Sequence, residues 1–236
     1  MTQKQKYRIS YQKFALKQVG NTIPISNIIL LPSTMIQLSP KLLTFDEFLE
    51  WLPETRRYEL HDGKIVEMQP TGKHEDITGF LTQELTLEYT KMQLPYRIPQ
   101  KALVKPKDKE TGYNPDLLLI DRSHLASEPL WQKKSTVIHG ESIPLIIEVV
   151  STNWRDDYGY KLIDYEAMGI REYWIVDYLG VGGVRFIGHP KQPTLSLYQL
   201  VDGEYQVQQL RGSEVIESPT FPELKLTAEQ IFQAQR

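Results

Sequence analysis

One apolar segment near the middle of the chain carries a carboxylate. Glu148 follows Ile143-Pro144-Leu145-Ile146-Ile147 and precedes Val149-Val150. Apolar residues at consecutive positions predict a strand that is buried on both faces. Glutamate is almost never fully buried unless a partner compensates its charge. The chain must therefore bring a cation to Glu148, either the arginine of a structural ion pair or a metal ion.

A second carboxylate stands at the start of another apolar run. Asp116 follows Asn114-Pro115 and precedes Leu117-Leu118-Leu119-Ile120. Asn-Pro-Asp is a common turn sequence, so a plain turn residue is one interpretation of Asp116. The buried strand predicted directly after it favours the other interpretation, in which Asp116 and Glu148 meet around a divalent metal ion.

Lys161 lies on the helix that is predicted after the Glu148 strand. Three- and four-residue spacing places Asp157, Lys161, Asp164 and Tyr165 on one face of that helix. A solvated ion pair between Lys161 and Asp157 is the simpler interpretation. In the company of Glu148, the lysine becomes a candidate for the same site.

Two further residues are candidates. Glu59 precedes a predicted hairpin turn at Asp62-Gly63, and it is either a site acid or a surface strand residue. His74 stands at a predicted helix start, where a helix-end or packing histidine is the alternative to a ligand.

The hydrophobic periodicity predicts the fold class. Helices are expected after Thr44, whose capping box includes Glu47, and over His74–Met92, Asp157–Met168 and a short stretch after Thr227, with Glu229 as its acidic partner. Strands are expected at Tyr58–His61, Lys64–Met68, Ala102–Val104, Leu117–Ile120, Ser135–Ile138, Leu145–Val150 and Glu172–Asp177, and then in a meander of Val184–Ile187, Leu195–Leu200 and Tyr205–Leu210. This order predicts an α+β, or mixed α/β, domain with a central mixed sheet, flanking helices and a C-terminal antiparallel meander.

The domain is expected to span residues 41–236. Residues 1–40 have no strong helical period and contain Pro24, Pro32 and Pro40, so we interpret them as an N-terminal extension. The extension either covers a sheet edge or reaches another subunit of a homodimer, and the sequence does not choose between the two.

Composition excludes several classes of protein. The 236 residues include no cysteine, which excludes disulfides and thiolate metal sites. The apolar run at Ile28–Leu31 is far shorter than the ~20 residues of a membrane span, so we expect a cytoplasmic protein with no membrane partner. The net charge of −3 does not indicate nucleic-acid binding, although local basic patches can still provide it.

The ordered motifs resemble the Uma-two family, a large bacterial family described as endonucleases with the restriction-endonuclease-like fold of the PD-(D/E)xK superfamily. The resemblance runs from about Thr44 to Asp177. It is carried by Tyr58-Glu59-Leu60, Asp62-Gly63-Lys64-Ile65-Val66, Gly72 with His74, Pro115-Asp116, Ile147-Glu148-Val149-Val150-Ser151, Asp157 with Lys161 and Tyr165, and Gly169-Ile170-Arg171-Glu172-Tyr173-Trp174-Ile175-Val176-Asp177.

The resemblance implies a metal-dependent site. Asp116, Glu148 and the backbone carbonyl of Val149 would bind Mg²⁺ or Mn²⁺, and Glu59 would bind a second ion or order its waters. The usual lysine position, two residues after the second acid, holds Val150. Lys161 matches a lysine that has moved to the following helix.

The implied activity is hydrolysis of DNA phosphodiester bonds. The ion would polarise the phosphate and lower the pKa of a bound water, while Lys161 would orient that water or stabilise developing charge. The lysines that could follow the DNA backbone are Lys101, Lys105, Lys107, Lys109, Lys133 and Lys134. Two alternatives stay open: a non-catalytic nucleic-acid or protein interaction module that retains the nuclease fold, and a metal hydrolase for a small phosphoester.

Overall fold

The structure is a computed structural model that describes residues 41–53, 57–151 and 153–234. The expected extension, residues 1–40, lies outside the described residues. The helices are α1 (Phe45–Trp51), α2 (Gly72–Lys91), α3 (Trp131–Lys134), α4 (Leu162–Ala167), α5 (Val184–Ile187) and α6 (Ala228–Gln233). The strands are β1 (Arg57–His61), β2 (Lys64–Met68), β3 (Tyr96–Arg97), β4 (Leu103–Val104), β5 (Leu117–Asp121), β6 (Thr136–Val137), β7 (Leu145–Val149), β8 (Glu172–Asp177), β9 (Thr194–Val201) and β10 (Glu204–Leu210).

A six-stranded sheet forms the centre of the domain, in the order β10-β9-β8-β7-β5-β3. Strands β7 and β8 are parallel, and the other neighbouring pairs are antiparallel. The central mixed sheet predicted from the sequence is therefore confirmed, and β8, β9 and β10 continue it as an antiparallel meander.

Alternation along β7 decides which way Glu148 faces. Leu145, Ile147 and Val149 belong to the core that α2 covers. Ile146 and Val150 belong to the core on the opposite face, and Glu148 shares their side because successive strand residues point to opposite faces. Glu148 consequently points towards the helical segment that follows β7.

That segment begins with an unusual turn. Asp156–Lys161 is a π-helix, and it continues directly into α4. The wider π-helical turn is rare in proteins, but where it occurs it often lies at a functional site. The single helix predicted over Asp157–Met168 is thus present but irregular in its first half.

The β1–β2 hairpin brings Glu59 to the sheet. Asp62 and Gly63 have φ angles of 47° and 77°, which is the left-handed pair that a tight hairpin turn requires. Leu60 exchanges two backbone hydrogen bonds with Gly112, of 2.9 and 2.8 Å. The hairpin is therefore attached to the segment that leads into β5.

The prediction of a strand at Val184–Ile187 is wrong, because these residues form the short helix α5. The amides of Phe186 and Ile187 donate to the carbonyl of Gly183, and only Ile187 is buried. A run of four mostly apolar residues is too short for periodicity to separate a strand from a helical turn.

Two smaller expectations also need correction, and one short strand was not expected. The strand expected at Ser135–Ile138 is reduced to β6, which pairs with β4 in a separate two-stranded parallel sheet. The edge strand β3 had no sequence signal, since it has two residues. The terminal helix α6 does begin after Thr227, but its capping partner is Gln230 rather than Glu229.

Among the described helices, none has both the length and the apolar character needed to cross a membrane.

Gly140, shortly before β7, packs closely against the backbone at Met168. Gly140 starts a one-turn 3-10 helix, and a Cβ atom there would lie 2.1 Å from the carbonyl oxygen of Met168. We expect Gly140→Ala to lower the free energy of unfolding by about 2 kcal/mol or more, because backbone must move to admit the methyl group. Gly79→Ala is the control: it lies exposed within α2 with nothing within 4 Å, and should raise stability by about 1 kcal/mol. Urea denaturation measures both, and equal effects would contradict this packing.

Candidate active site: buried carboxylates around one lysine

Asp116 and Glu148 face each other across two antiparallel strands. The pairing of Leu117 with Ile147 places Asp116, the residue before β5, opposite Glu148. The amide of Asp116 lies 3.4 Å from Glu148 Oε2, and the amide of Val149 donates to Asp116 Oδ2 over 2.8 Å. Both carboxylates therefore lie together at one end of the sheet.

Lys161 lies at the centre of three carboxylates. Its Nζ is 3.1 Å from Glu148 Oε1, 3.2 Å from Glu59 Oε1 and 3.3 Å from Asp157 Oδ1. The lysine is only 1% exposed. The predicted pair with Asp157 exists, but the solvated setting expected for it is wrong because the π-helical segment turns both side chains inwards.

Glu59 is likewise buried, at 1% exposed, so the surface-strand interpretation is wrong. Its Oε1 also accepts a hydrogen bond of 3.0 Å from the amide of Asn114. Its Oε2 lies 2.7 Å from His61 Nε2. Strand β1 thus contributes an acid that is held by the lysine, a histidine and the backbone.

Asp116 has two cationic neighbours. His74 Nε2 lies 2.9 Å from Asp116 Oδ2, because the N-terminus of α2 points at the start of β5. Arg57 lies 3.4 Å from Asp116 Oδ1 and donates to the carbonyls of Asn114 and Pro115 over 2.9 and 2.7 Å. The structure therefore brings His74 to the site through contact with an acid.

Several participants were not predicted as site residues. Arg57 gives no periodic signal in the sequence. Asp157 and Tyr165 were visible through their spacing from Lys161 and as part of the family motif, without an assigned role. The buried hydroxyl of Tyr165 donates to Glu148 Oε1 over 3.1 Å.

A second polar chain adjoins the cluster. The Tyr113 hydroxyl donates to Asp164 over 2.7 Å, and Lys109 also binds Asp164. The Tyr113 ring centre lies 5.8 Å from Lys161 Nζ. Lys109, one of the six lysines proposed to follow DNA, therefore lies beside the site, while Lys101, Lys107, Lys133 and Lys134 are exposed and Lys105 packs over the Phe45 ring.

The cluster holds more negative than positive charge. Glu59, Asp116, Glu148 and Asp157 contact only two permanently charged cations among the described residues, Lys161 and Arg57. Two excess negative charges must be balanced by protonation of the contacting histidines or carboxyls, or by a bound cation.

Neighbouring charges shift the pKa values of the four acids in different directions. Burial acts to raise the pKa of each, but His74 and Arg57 hold the pKa of Asp116 below its usual value, and Lys161 and His61 do the same for Glu59. Burial and the surrounding acids raise the pKa of Glu148 well above its usual value and that of Asp157 to about 6, against the opposing effect of Lys161.

Lys161 and His74 are shifted towards the charged form. Burial acts to lower both pKa values. For Lys161 the acids Glu148, Glu59 and Asp157 outweigh burial and raise its pKa well above the usual range. For His74 the hydrogen bond to Asp116 has the same result.

The donor set of Asp116 and Glu148 suits a hard divalent ion. Carboxylate oxygens are the ligands of Mg²⁺, which often takes only one or two of them and keeps waters. Among the described residues, Asp116 Oδ1 and Glu148 Oε2 each have only a long contact of 3.4 Å. Within the described ranges, no group of three His, Asp or Glu side chains is arranged to hold one ion. An ion held by Asp116 and Glu148 would therefore have to complete its coordination with water and substrate, and the Val149 carbonyl as a ligand stays a prediction.

Replacing the central lysine should cost far more than replacing a surface lysine. Lys161→Met keeps most of the side-chain volume but leaves three buried carboxylates without their cation, so we expect a loss of about 3–5 kcal/mol in the free energy of unfolding at pH 8. Lys91→Met, which removes an exposed pair with Glu223, is the control and should cost little. Urea denaturation compares the two, and equal losses would contradict the central role of Lys161.

The raised pKa of Asp157 predicts a pH dependence. A carboxyl whose pKa rises from 3.8 to about 6 on folding stabilises the native state below about pH 4, and this contribution is lost as the pH rises through about 6. It amounts to at most about 3 kcal/mol. In EDTA, Asp157→Asn should therefore lose less stability than the wild type between pH 4.5 and 7.5, whereas Asp108→Asn in an exposed turn should follow the wild type. Parallel curves for Asp157→Asn and the wild type would refute the assignment.

Comparison with known proteins identifies the fold and the family of this chain. A solved structure described as "a putative nuclease belonging to DUF820 from Anabaena variabilis" is similar to this chain with a TM-score of 0.63 and 20% identity, over 82% of this chain and 99% of the other. At that identity the likeness shows the fold alone, and it confirms the expected nuclease-like fold. Among curated proteins, none is significantly similar to this chain. The model of the Uma2 family, described as "Putative restriction endonuclease", matches residues 45–229, and the chain therefore belongs to the Uma2 family.

Proposed function

We propose that the protein is a metal-dependent endonuclease that hydrolyses DNA phosphodiester bonds. The observation that carries the proposal is the pair Asp116 and Glu148, which meet at one end of the central sheet with Lys161 bonded to the second acid. Membership of the Uma2 family supports the same class of reaction.

Asp116 and Glu148 would hold Mg²⁺ or Mn²⁺, with the Val149 carbonyl as a further ligand. A bound ion of this kind supplies positive charge at the phosphate and makes a bound water more acidic. The excess negative charge of the cluster favours such an ion, because the ion would replace the protons that the acids otherwise need. Glu59 would bind a second ion or its waters.

Lys161 acts as a charged donor in this proposal and not as a base, since its pKa is raised. An ammonium group has three N–H donors, and three carboxylates already face them. When one of these carboxylates no longer accepts from Lys161, an N–H group of the lysine becomes free to donate to a water or a phosphate oxygen. Asp157 suits that part, because a pKa of about 6 lets it gain a proton near neutral pH.

His74 and Arg57 would position Asp116. The Nε2 atom of His74 is already engaged by Asp116, so the histidine serves better to orient that acid than to bind an ion directly. Arg57 ties the same acid to the Asn114 and Pro115 carbonyls. This support shell would keep one ligand in place while substrate arrives.

The test replaces the acids with their amides. Asp116→Asn and Glu148→Gln should abolish the rise in melting temperature that Mn²⁺ or Mg²⁺ produces in the wild type, because a ligand of the native state stabilises it. Both should reduce cleavage of plasmid DNA by on the order of 100-fold or more, since a catalytic ion contributes several kcal/mol to the transition state. Thermal unfolding and gel assays measure the two effects.

Glu172→Gln is the matched control for these variants. Glu172 is a fully buried acid on β8, but its carboxylate binds Trp174, Ser218 and Thr220 outside the site. The control should keep both the metal response and the cleavage. Equal metal responses in all variants would remove Asp116 and Glu148 as ligands, and a wild type that cleaves no DNA with either metal would favour the interaction module.

A further inference from the structure

A groove of about 650 Å³ lies on the outer side of the segment that carries Lys161. Asp157 and Lys161 are buried on the inner side of the π-helix, whereas Arg155 and Tyr160 are exposed on its outer side, Tyr160 by 64%. Arg185 and Phe186 of α5 form the opposite wall.

The groove is built from aromatic rings and arginines. Trp154, Tyr158 and Phe186 pack against one another, and the rings of Tyr158 and Phe186 stack with centres 4.9 Å apart. The guanidinium of Arg155 lies 4.6 Å from the Trp154 ring centre, and that of Arg185 lies 4.3 Å from the Phe186 ring centre. None of the described residues that line the groove is acidic.

Gly183 is the backbone position against which the Trp154 ring packs. A Cβ atom on Gly183 would lie 3.0 Å from Trp154 Cη2, so a larger residue would press on the indole ring. Glycine there lets the ring lie close against the loop before α5. The aromatic surface is therefore held in place before any partner arrives, which lowers the entropic cost of binding.

The groove is on the same end of the sheet as the candidate active site. Trp154 and Arg155 follow β7, and α5 follows β8, so both walls lie beyond the carboxyl ends of these parallel strands. Asp116 and Glu148 lie at that end too. The width of one helix, about 10 Å, separates the outer face from the inner face that carries Lys161.

A smaller polar pocket of about 200 Å³ lies beside the groove. Tyr160 lines both cavities. The small pocket is also lined by His61 and Tyr113, which contact Glu59 and Lys161. Its charged lining residues are the lysines Lys64 and Lys109 and the acids Asp62 and Asp164, and Lys109 is paired with Asp164. Lys64 is therefore the cation of this pocket that can meet a backbone phosphate.

We infer that this groove binds unpaired bases of single-stranded DNA next to the phosphodiester that is cut. The exposed ring of Tyr160 can stack on the face of any base. Arg155 and Arg185, which lie over the Trp154 and Phe186 rings, can attract the backbone phosphates and stack on bases as well. The inference rests on the proposed function for its substrate class. It adds that the preferred DNA has a single-stranded segment, as in an overhang, a fork or a bubble.

Binding in EDTA tests the groove without cleavage. Fluorescence anisotropy should show that the wild type binds a labelled 20-nucleotide oligo-dT more tightly than a 20-base-pair duplex. Tyr160→Ala and the double variant Arg155→Ala/Arg185→Ala should each weaken oligo-dT binding by at least about 10-fold, as expected for the loss of one stacking or cationic contact. These side chains are exposed, so the variants should fold like the wild type.

Trp51→Ala and Arg122→Ala are the matched controls. Trp51 is a partly exposed aromatic on α1, and Arg122 is an exposed arginine at the far end of β5. Both should bind oligo-dT as the wild type does. Groove variants that also bind like the wild type would overturn the inference, as would a change from dimer to monomer in sedimentation with unchanged DNA binding, because the groove would then be a contact between copies.

Cleavage separates this inference from the proposed function. In Mn²⁺, groove variants that still cut duplex plasmid but lose a preference for forked DNA would support both. Cleavage by the wild type with groove-independent binding would leave the function standing and remove the inference. Groove-dependent binding of oligo-dT without cleavage of any DNA would support the groove and reject the nuclease proposal.

Discussion

The contact of the Lys161 ammonium group with three buried carboxylates is the interaction on which the arrangement of the site depends. Glu59 comes from the hairpin, Glu148 from the central sheet, and Asp157 from the same helical segment as the lysine. Without this cation, three acids brought together by the fold would repel one another in a poorly solvated space. The positive charge of Lys161 thus holds the β1–β2 hairpin, the central sheet and the helical segment after β7 together at the site.

The fold places this cluster at a position that is already suited to chemistry. Parallel β7 and β8 end where antiparallel β5 begins, so Glu148 of β7 and Asp116 before β5 meet at one end of the sheet, next to the helical segment that follows β7. Binding sites in open sheets with parallel strands commonly lie beyond the carboxyl ends of those strands. Burial, together with the surrounding acids, accounts for the raised pKa values of Glu148 and Asp157. The excess of negative charge there supports the proposal that a divalent cation binds.

The two acids of the central sheet could be predicted from the sequence, because a charged residue beside buried apolar residues conflicts with burial. Glu148 and Asp116 are visible since each interrupts or begins an apolar run, and a buried acid needs a partner. Lys161 was connected to them by its place on the helix after the Glu148 strand and by resemblance to a family, while its spacing alone indicated only a pair with Asp157. Arg57 had no signal, because a single arginine before a hairpin looks the same whether it meets solvent or an acid 59 residues away.

The sequence by itself determined the mixed α and β class, the hairpin at Asp62-Gly63, the helix over His74–Met92 and the two buried strands that carry or directly follow an acid. These features follow from local periodicity, turn chemistry and capping, which act over a few residues. Tertiary structure alone decided that Val184–Ile187 is helical, that one lysine serves three acids, and that aromatic residues and arginines form a groove on its outer side. Those outcomes depend on contacts between residues distant in the chain, and the sequence pattern of each residue does not encode which distant partner it meets.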